Sequence, residues 1–356
     1  MKNRIGFGIV GLGQVSGTHA AALQGQEDCY LVGGFHHNRE KADQWASAYG
    51  CRAFYSLEEM LADPEIDAVS VTTPSGYHLE PALAAIRAGK HVLIEKPMEI
   101  TEERIRLLIE SARQHHVLLC GIFQSRFQDA PRLLKKAVEE GRFGTITLAD
   151  AQFKWYRSQA YYDSGAWRGT WAVDGGGVLM NQGIHAIDLL LFLMGDPVEV
   201  SGRITTLAHE RIEVEDTAVA TLRFRNGALG IIEGTTGAYP GSQKRIEICG
   251  SKGQAVLEED SITKWEFMEE RPEDAEIRSR FAASTSSGGA GDPRSISRIG
   301  HTREYADFAA AIRNGTEPLI TGEEALRAVR VIRSIYQSAA PGAPQSAAHA
   351  CCAGMG

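Results

Sequence analysis

The sequence predicts an α/β protein in two parts: an N-terminal Rossmann-type, doubly wound parallel sheet and a C-terminal α+β domain with a large, open, mostly antiparallel sheet. Three observations carry this. A short apolar strand, Arg4–Val10, runs into a glycine turn and an Ala-rich helix. Short strands and helices then alternate as far as Phe123, the signature of a parallel sheet covered on both faces. Beyond Val200 the pattern changes to β-branched alternation broken by turn residues. The 356 residues exceed what one core usually takes up, so the expected division is 1–123 for the first domain, 124–338 for the second, and a disordered small-residue tail over 339–356.

Taken in order, the glycine turn is Gly11-Leu12-Gly13-Gln14-Val15-Ser16-Gly17. Gly11 allows a tight turn, Gly13 lets the backbone approach a pyrophosphate, and the following helix offers unpaired N–H groups to phosphate. Ser16 stands where the fingerprint has its third glycine, with Gly17 one place later, so the turn alone leaves a ligand-free glycine turn as an alternative. A second strand, Tyr30–Phe35, ends where such folds meet the adenine ribose. In place of an acid it is followed by His36-His37-Asn38-Arg39, which leaves NAD and NADP both open, as well as a plain solvated loop. Helix 39–49, strand 52–55, helix 57–62, strand 68–72, helix 79–88 and strand 91–94 follow. Two strand ends carry polar groups where ligands bind in such sheets: Thr73-Pro74 with His78, and Glu95-Lys96-Pro97.

Composition excludes several classes. A net charge of −8 without a basic patch argues against nucleic acid, and no apolar run approaches a membrane span. The N-terminus has no secretory pattern, so a cytoplasmic location is expected. The six cysteines lack metal-ligand spacing, so free thiols and no metal site are expected.

With these strings in place the chain resembles the Gfo/Idh/MocA oxidoreductases over nearly its whole length. The residues that carry the likeness are the Gly11/Gly13 turn, Thr73-Pro74 with His78, Glu95-Lys96-Pro97, the segment from Gly175 through His185 to Asp188, and Asp307-Phe308 with Ala311-Ile312. The resemblance implies NAD or NADP as cofactor, an open sheet that often forms the subunit interface, and a homodimer or homotetramer. It implies Lys96 near the reacting carbon and His185 as acid or base, with Gly11, Gly13, Gln14, Val15, His36, His37, Asn38, Arg39, Thr73, Pro74, His78, Glu95 and Lys96 around the cofactor. Many members have an aspartate four residues before that histidine. Here it is Asn181, which hydrogen-bonds but cannot exchange a proton.

The residues themselves lead to the same place. A helix is expected over Leu179–Leu193, with Asn181, His185 and Asp188 on one face, a polar stripe that must meet partners or a cavity. An imidazole titrating near neutrality suits removal of a hydroxyl proton, and a lysine suits stabilising the developing oxyanion. The stretch from Tyr156 to Trp171 is rich in aromatics and arginines, among them Arg157, Trp167 and Arg168, and reads either as a substrate wall for an anionic sugar or as loop packing. The string Trp-Arg-Gly-Thr-Trp before the glycines resembles members acting on nucleotide-linked sugar acids. Gln124 and Arg126 are expected to open the second domain and border the nicotinamide. His301 is expected either to reach the site or to cap its helix, and 283–293 is expected to form a mobile loop.

The expected activity is therefore NAD(P)-dependent hydride transfer at a secondary hydroxyl of a sugar, a sugar acid, including nucleotide-linked ones, or a cyclitol. The alternatives are glycoside cleavage through transient oxidation by bound NAD, and a non-catalytic nicotinamide sensor.

Overall fold

The structure is a computed structural model that describes residues 4–282 and 298–340. Its first strands and helices are β1 (Ile5–Val10), α1 (Ser16–Leu23), β2 (Cys29–Phe35), α2 (Arg39–Tyr49), β3 (Arg52–Phe54), α3 (Leu57–Ala62), β4 (Ala68–Val71), α4 (Leu79–Arg87), β5 (His91–Ile94), α5 (Glu102–Gln114) and β6 (Leu119–Gly121). There follow α6 (Asp129–Glu139), β7 (Ile146–Lys154), α7 (Gln159–Asp163), α8 (Ile184–Met194), β8 (Pro197–Thr205), β9 (Thr217–Phe224) and β10 (Leu229–Thr235). The remainder are β11 (Arg245–Gly250), β12 (Gly253–Glu258), β13 (Ser261–Phe267), α9 (Pro272–Arg280), α10 (Ile299–Asn314) and α11 (Gly322–Ala339).

The chain divides into two units, Met1–Phe127 with Arg298–Leu326, and Gln128–Ser297 with Arg327–Gly356. This differs from a linear division at 123/124 because α10 packs on α1, β1 and β2, which returns that segment to the first unit. Gln124 and Arg126 accordingly lie in the first unit.

In the first unit the strands run in the order β3-β2-β1-β4-β5-β6, all parallel. β1 is buried along its whole length, as a strand covered on both faces must be. Phe7 is fully buried and meets Tyr305 of α10 edge-on at 5.0 Å, a contact on top of roughly 2–3 kcal/mol of side-chain burial. Asn38, Ser56 and Thr101 cap α2, α3 and α5 by accepting backbone N–H groups, which fixes where each helix starts after its strand.

The second unit holds a seven-stranded sheet in the order β13-β12-β11-β7-β10-β9-β8. Only the β7–β10 pair is parallel among these strands. Turns at Asn226-Gly227 and Ser251-Lys252 join β9 to β10 and β11 to β12, and Gly227 takes a positive φ of 88° in the first of them. α8, buried on nearly every residue, covers β7 and β11.

Three further differences from expectation have local causes. The helix expected over Leu179–Leu193 is in fact a π-helical turn, Val178–Gln182, followed at Gly183 by α8, because the Gly183 N–H reaches back to the Val178 carbonyl at 2.7 Å. The strand expected over Val117–Phe123 is confined to Leu119–Gly121. β7, the middle strand of its sheet, escaped notice because its inward positions are Ala149, Ala151 and Phe153, too small on average to mark a strand. The loop expected over 283–293 and nearly all of the expected tail lie outside the described residues. Cys29, Cys51, Cys120 and Cys249 are free thiols, and Cys351 and Cys352 lie outside the described residues.

Candidate active-site residues

In the first unit the glycine turn follows β1 directly. Gly11 has φ +94°, and a Cβ there would come within 2.8 Å of Thr73, so only glycine fits against the end of β4. At Gly13 a Cβ would meet nothing within 4 Å, leaving the open space that a dinucleotide backbone needs. Ser16 takes the third-glycine position by folding back, its hydroxyl donating to the Gly13 carbonyl at 2.6 Å and accepting from the Trp45 indole at 3.0 Å. Close helix packing falls to Gly17, where a Cβ would lie 2.5 Å from the Tyr49 hydroxyl. Gln14 is exposed and Val15 half-buried at the start of α1.

At the end of β2, His36 accepts the Asn38 N–H through Nδ1 and stacks on His37 with ring centroids 4.3 Å apart. Burial, with the neighbouring His37 and Lys41 charges, lowers the His36 pKa, so an uncharged imidazole stands where an acid would meet a ribose. Asn38 is committed to capping α2, and the Arg39 guanidinium lies 3.9 Å over the Tyr55 ring.

The two polar strand ends are tied together. His78 is buried, with Nε2 2.8 Å from the Thr73 carbonyl and Nδ1 3.0 Å from that of Pro97, and the Thr73 hydroxyl donates to the Tyr77 carbonyl. Pro74 precedes the short 3-10 turn Ser75–Tyr77 that starts α4. Glu95 points inward, accepting from His19 at 2.9 Å and from the Lys96 N–H at 2.9 Å, so its carboxylate belongs to a buried network. Lys96 is half-buried beside it. Gln124 is buried in the turn 124–127, and its Oε1 has no hydrogen-bond donor among the described residues. His301 is buried inside the first turn of α10 with its ring 5.5 Å from that of His19, so it does not cap the helix. Sequence reading missed His19 and Tyr305, whose partners lie far away in the chain.

In the second unit Asn181 sits in the π-helical turn and donates to Asp174 at 2.6 Å. A carboxylate only accepts, so the amide nitrogen faces it. Asp174, itself buried and also accepting from the Gly169 N–H, places a negative charge beside the position where many family members carry an aspartate. His185 and Asp188 follow in α8, His185 8% exposed and Asp188 1%, which sets Asp188 inside the core. Glu215 holds the turn from below, accepting from the Gly177 N–H, the Leu179 N–H and the Tyr336 hydroxyl. Gly177 must be glycine, because a Cβ would stand 1.7 Å from the Glu215 carbonyl.

The aromatic segment forms a layered wall. The Arg168 guanidinium lies 4.3 Å from the Tyr161 ring and 4.5 Å from that of Trp167, and donates to the Tyr161 hydroxyl at 2.7 Å. Arg157, 5% exposed, packs between Trp155 and Tyr161 and donates to the Tyr156 carbonyl. Gln182 reaches Tyr161 weakly at 3.4 Å, while its Oε1 is buried without a donor among the described residues. Burial raises the Tyr161 pKa, so its hydroxyl stays protonated. Asp174 and Gln182 are further residues that sequence reading missed; the only local sign was their place beside the glycines and Asn181.

Residues 5–122 match an oxidoreductase family with an NAD-binding Rossmann fold, and residues 132–256 match the GFO/IDH/MocA C-terminal domain. The WlbA dehydrogenase of Bordetella pertussis, solved with NADH and UDP-GlcNAcA, is 36% identical, with 95% of this chain and 97% of that one covered and a TM-score of 0.84. The chain belongs to the GFO/IDH/MocA family. The corresponding Chromobacterium violaceum structure is 32% identical over 97% of this chain and 96% of that one, with a TM-score of 0.86. The myo-inositol 2-dehydrogenase of Thermotoga maritima is 27% identical over 89% of this chain and 91% of its own length. As a GFO/IDH/MocA member the protein is an oxidoreductase whose cofactor is a nicotinamide dinucleotide, and its glycine turn has the open space that such a cofactor needs. Among the described residues no helix is long and apolar enough to cross a membrane.

Proposed function

We propose that this protein is an NAD(P)-dependent dehydrogenase that oxidises a secondary hydroxyl of a sugar acid, with nucleotide-linked sugar acids as the leading class and free sugars and cyclitols behind them. The observation that carries the reading is the wall of Arg157 and Arg168 stacked with Tyr161 and Trp167. In a chain of net charge −8, two arginines held by aromatic rings and next to the Asn181 segment suit an anionic ligand with a sugar face. The similarity to a dehydrogenase solved with UDP-GlcNAcA supports the same class.

A bound nicotinamide would supply the hydride acceptor. His185 takes the hydroxyl proton, Lys96 holds the substrate oxygen, and Asn181, oriented by Asp174, fixes a neighbouring hydroxyl. Gln124 and the aromatic wall complete substrate recognition, and the protein assembles as a homodimer or homotetramer, a reading supported by the exposed Val219, Leu229 and Ile231 of the second sheet.

The test is reduced-cofactor absorbance at 340 nm with NAD or NADP against UDP-linked uronic acids, free aldoses and cyclitols. Turnover confined to the UDP-linked acids is expected, and turnover confined to cyclitols would overturn the substrate class. K96M should lower kcat by roughly 10²–10⁴-fold while retaining cofactor binding, read by quenching of intrinsic fluorescence.

A further inference from the structure

Behind Lys96 lies a buried cluster that the proposed chemistry does not use. His19 of α1 is fully buried; its Nε2 lies 2.9 Å from Glu95 Oε1, and its Nδ1 lies 2.8 Å from the Tyr305 hydroxyl and 3.0 Å from that of Ser70. Tyr305 also donates to Ser70 at 2.9 Å. The second Glu95 oxygen accepts the Lys96 backbone N–H. His301 stands edge-on to His19, and its Nδ1 is buried without a partner among the described residues.

The donor atoms of His19, Glu95 and His301 fall within 4.8 Å of one another, close enough for a metal ion. The hydrogen bonding favours a different use. The carboxylate accepts only, so His19 carries its hydrogen on Nε2, toward Glu95, and leaves Nδ1 to accept the Ser70 hydroxyl hydrogen while Tyr305 donates to Ser70. Every polar atom of His19 is then satisfied without a cation.

We propose that Tyr305, His19 and Glu95 are positioning residues for Lys96: the relay clamps the Glu95 carboxylate against the Lys96 backbone and keeps a buried negative charge one residue from its ammonium. The inference rests on the reading of Lys96 as the residue that holds the substrate oxygen. The groups that face Glu95 are His19 from α1, His78 at the start of α4, Lys96, and His301 with Tyr305 from α10; Glu304 lies near Tyr305. Burial pushes the Glu95 carboxyl up. The His19 hydrogen bond, with the Lys96 charge, outweighs it and holds the group well below the usual carboxylate range, so the charge persists. Burial, with the neighbouring His19, pushes His301 down to about 4, so it adds no competing cation near neutrality.

The experiment compares E95Q, H19Q, H19A and Y305F with K96M. Lysines of the apo protein are reductively ¹³C-methylated and titrated by NMR, with the Lys96 signal assigned by its loss in K96M. In E95Q the Lys96 pKa is expected to fall by roughly one pH unit. The kcat pH profile should move the same way, with kcat reduced roughly 10- to 100-fold and cofactor KM little changed. H19Q, whose amide nitrogen still donates to Glu95, should recover part of the loss seen in H19A, and Y305F should fall between wild type and H19A. An unchanged Lys96 titration in folded E95Q overturns the inference while leaving the role of Lys96 intact. Full turnover in K96M overturns the role of Lys96, and the NMR titration still decides whether Glu95 acts on it. A stoichiometric divalent metal in purified protein that is lost in H301A would replace the relay with a metal site.

Discussion

Glu215 shows how one buried side chain shapes the turn that carries Asn181. Burial lifts its pKa from 4.5 to about 7, against the opposing hydrogen bonds from Leu179, Tyr336 and Gly177. Between those two values the folded protein holds a proton that the unfolded chain releases. The group's contribution to stability therefore falls as pH rises from about 4.5 to about 7, and is flat above that. The difference is worth about 3 kcal/mol. Tyr336 can accept the carboxyl proton on Oε1 while Gly177 still donates to Oε2, so the neutral acid is well housed. In E215Q an amide hydrogen faces either the Leu179 or the Gly177 N–H, costing about 1–3 kcal/mol. Urea unfolding should find E215Q less stable than wild type at pH 5, with the gap narrowing toward pH 8. A gap that does not change with pH would mean that the wild-type carboxyl is already ionised at pH 5.

At the scale of elements, the link from β2 to α2 is the segment expected to set the choice between NAD and NADP. Its occupants are a neutral His36, a capping Asn38, and Arg39 stacked on Tyr55, so no carboxylate stands there to accept a ribose hydroxyl or to repel a 2′-phosphate. H36D supplies one. It should raise the preference for NAD over NADP, as the ratio of kcat/KM values, by at least roughly ten-fold, or about 1.4 kcal/mol. An unchanged ratio would place the adenine ribose away from this link. The glycine turn between β1 and α1 was plain in the sequence, because a strand, two glycines and a helix are local signals. The long-range partnerships were not. His19 meets Glu95 across 76 residues and Tyr305 across 286, and Glu215 reaches the glycine cluster across 38, so no window of sequence holds both partners. Asn181 and His185 are near neighbours in the chain, but the π-helical turn breaks the expected stripe, since one extra residue per turn rotates everything before Gly183.

For the whole molecule, the alternation of strand and helix made the first sheet legible, whereas the return of α10 to that sheet was not, because its apolar residues say only that a helix is buried and not against what. The second sheet leaves a further question open to test. One of its faces carries α8, and the other presents Val219, Leu229 and Ile231, 50%, 55% and 39% exposed, side by side on β9 and β10. Around them lie Asp150, opposite Ile231, and Glu233, opposite Val219. Burial and the charges of Glu247 and Glu233 raise the Asp150 pKa, so this face already holds a carboxyl poorly suited to water-free burial unless a partner supplies a donor. A specific subunit contact removes roughly 1,200–2,000 Å² from water, which such a broad sheet face can provide. I231K tests this without disturbing the fold, because in an isolated subunit the new ammonium lies across from Asp150 and is attracted to it. In a dimer built on this face, related by a two-fold axis, each copy brings the same cation into the contact and buries it. Sedimentation velocity should therefore find wild type as a dimer or tetramer and I231K at half that mass, with an unchanged thermal unfolding midpoint at low concentration. An I231K protein that keeps the wild-type mass would place the subunit contact elsewhere on the molecule.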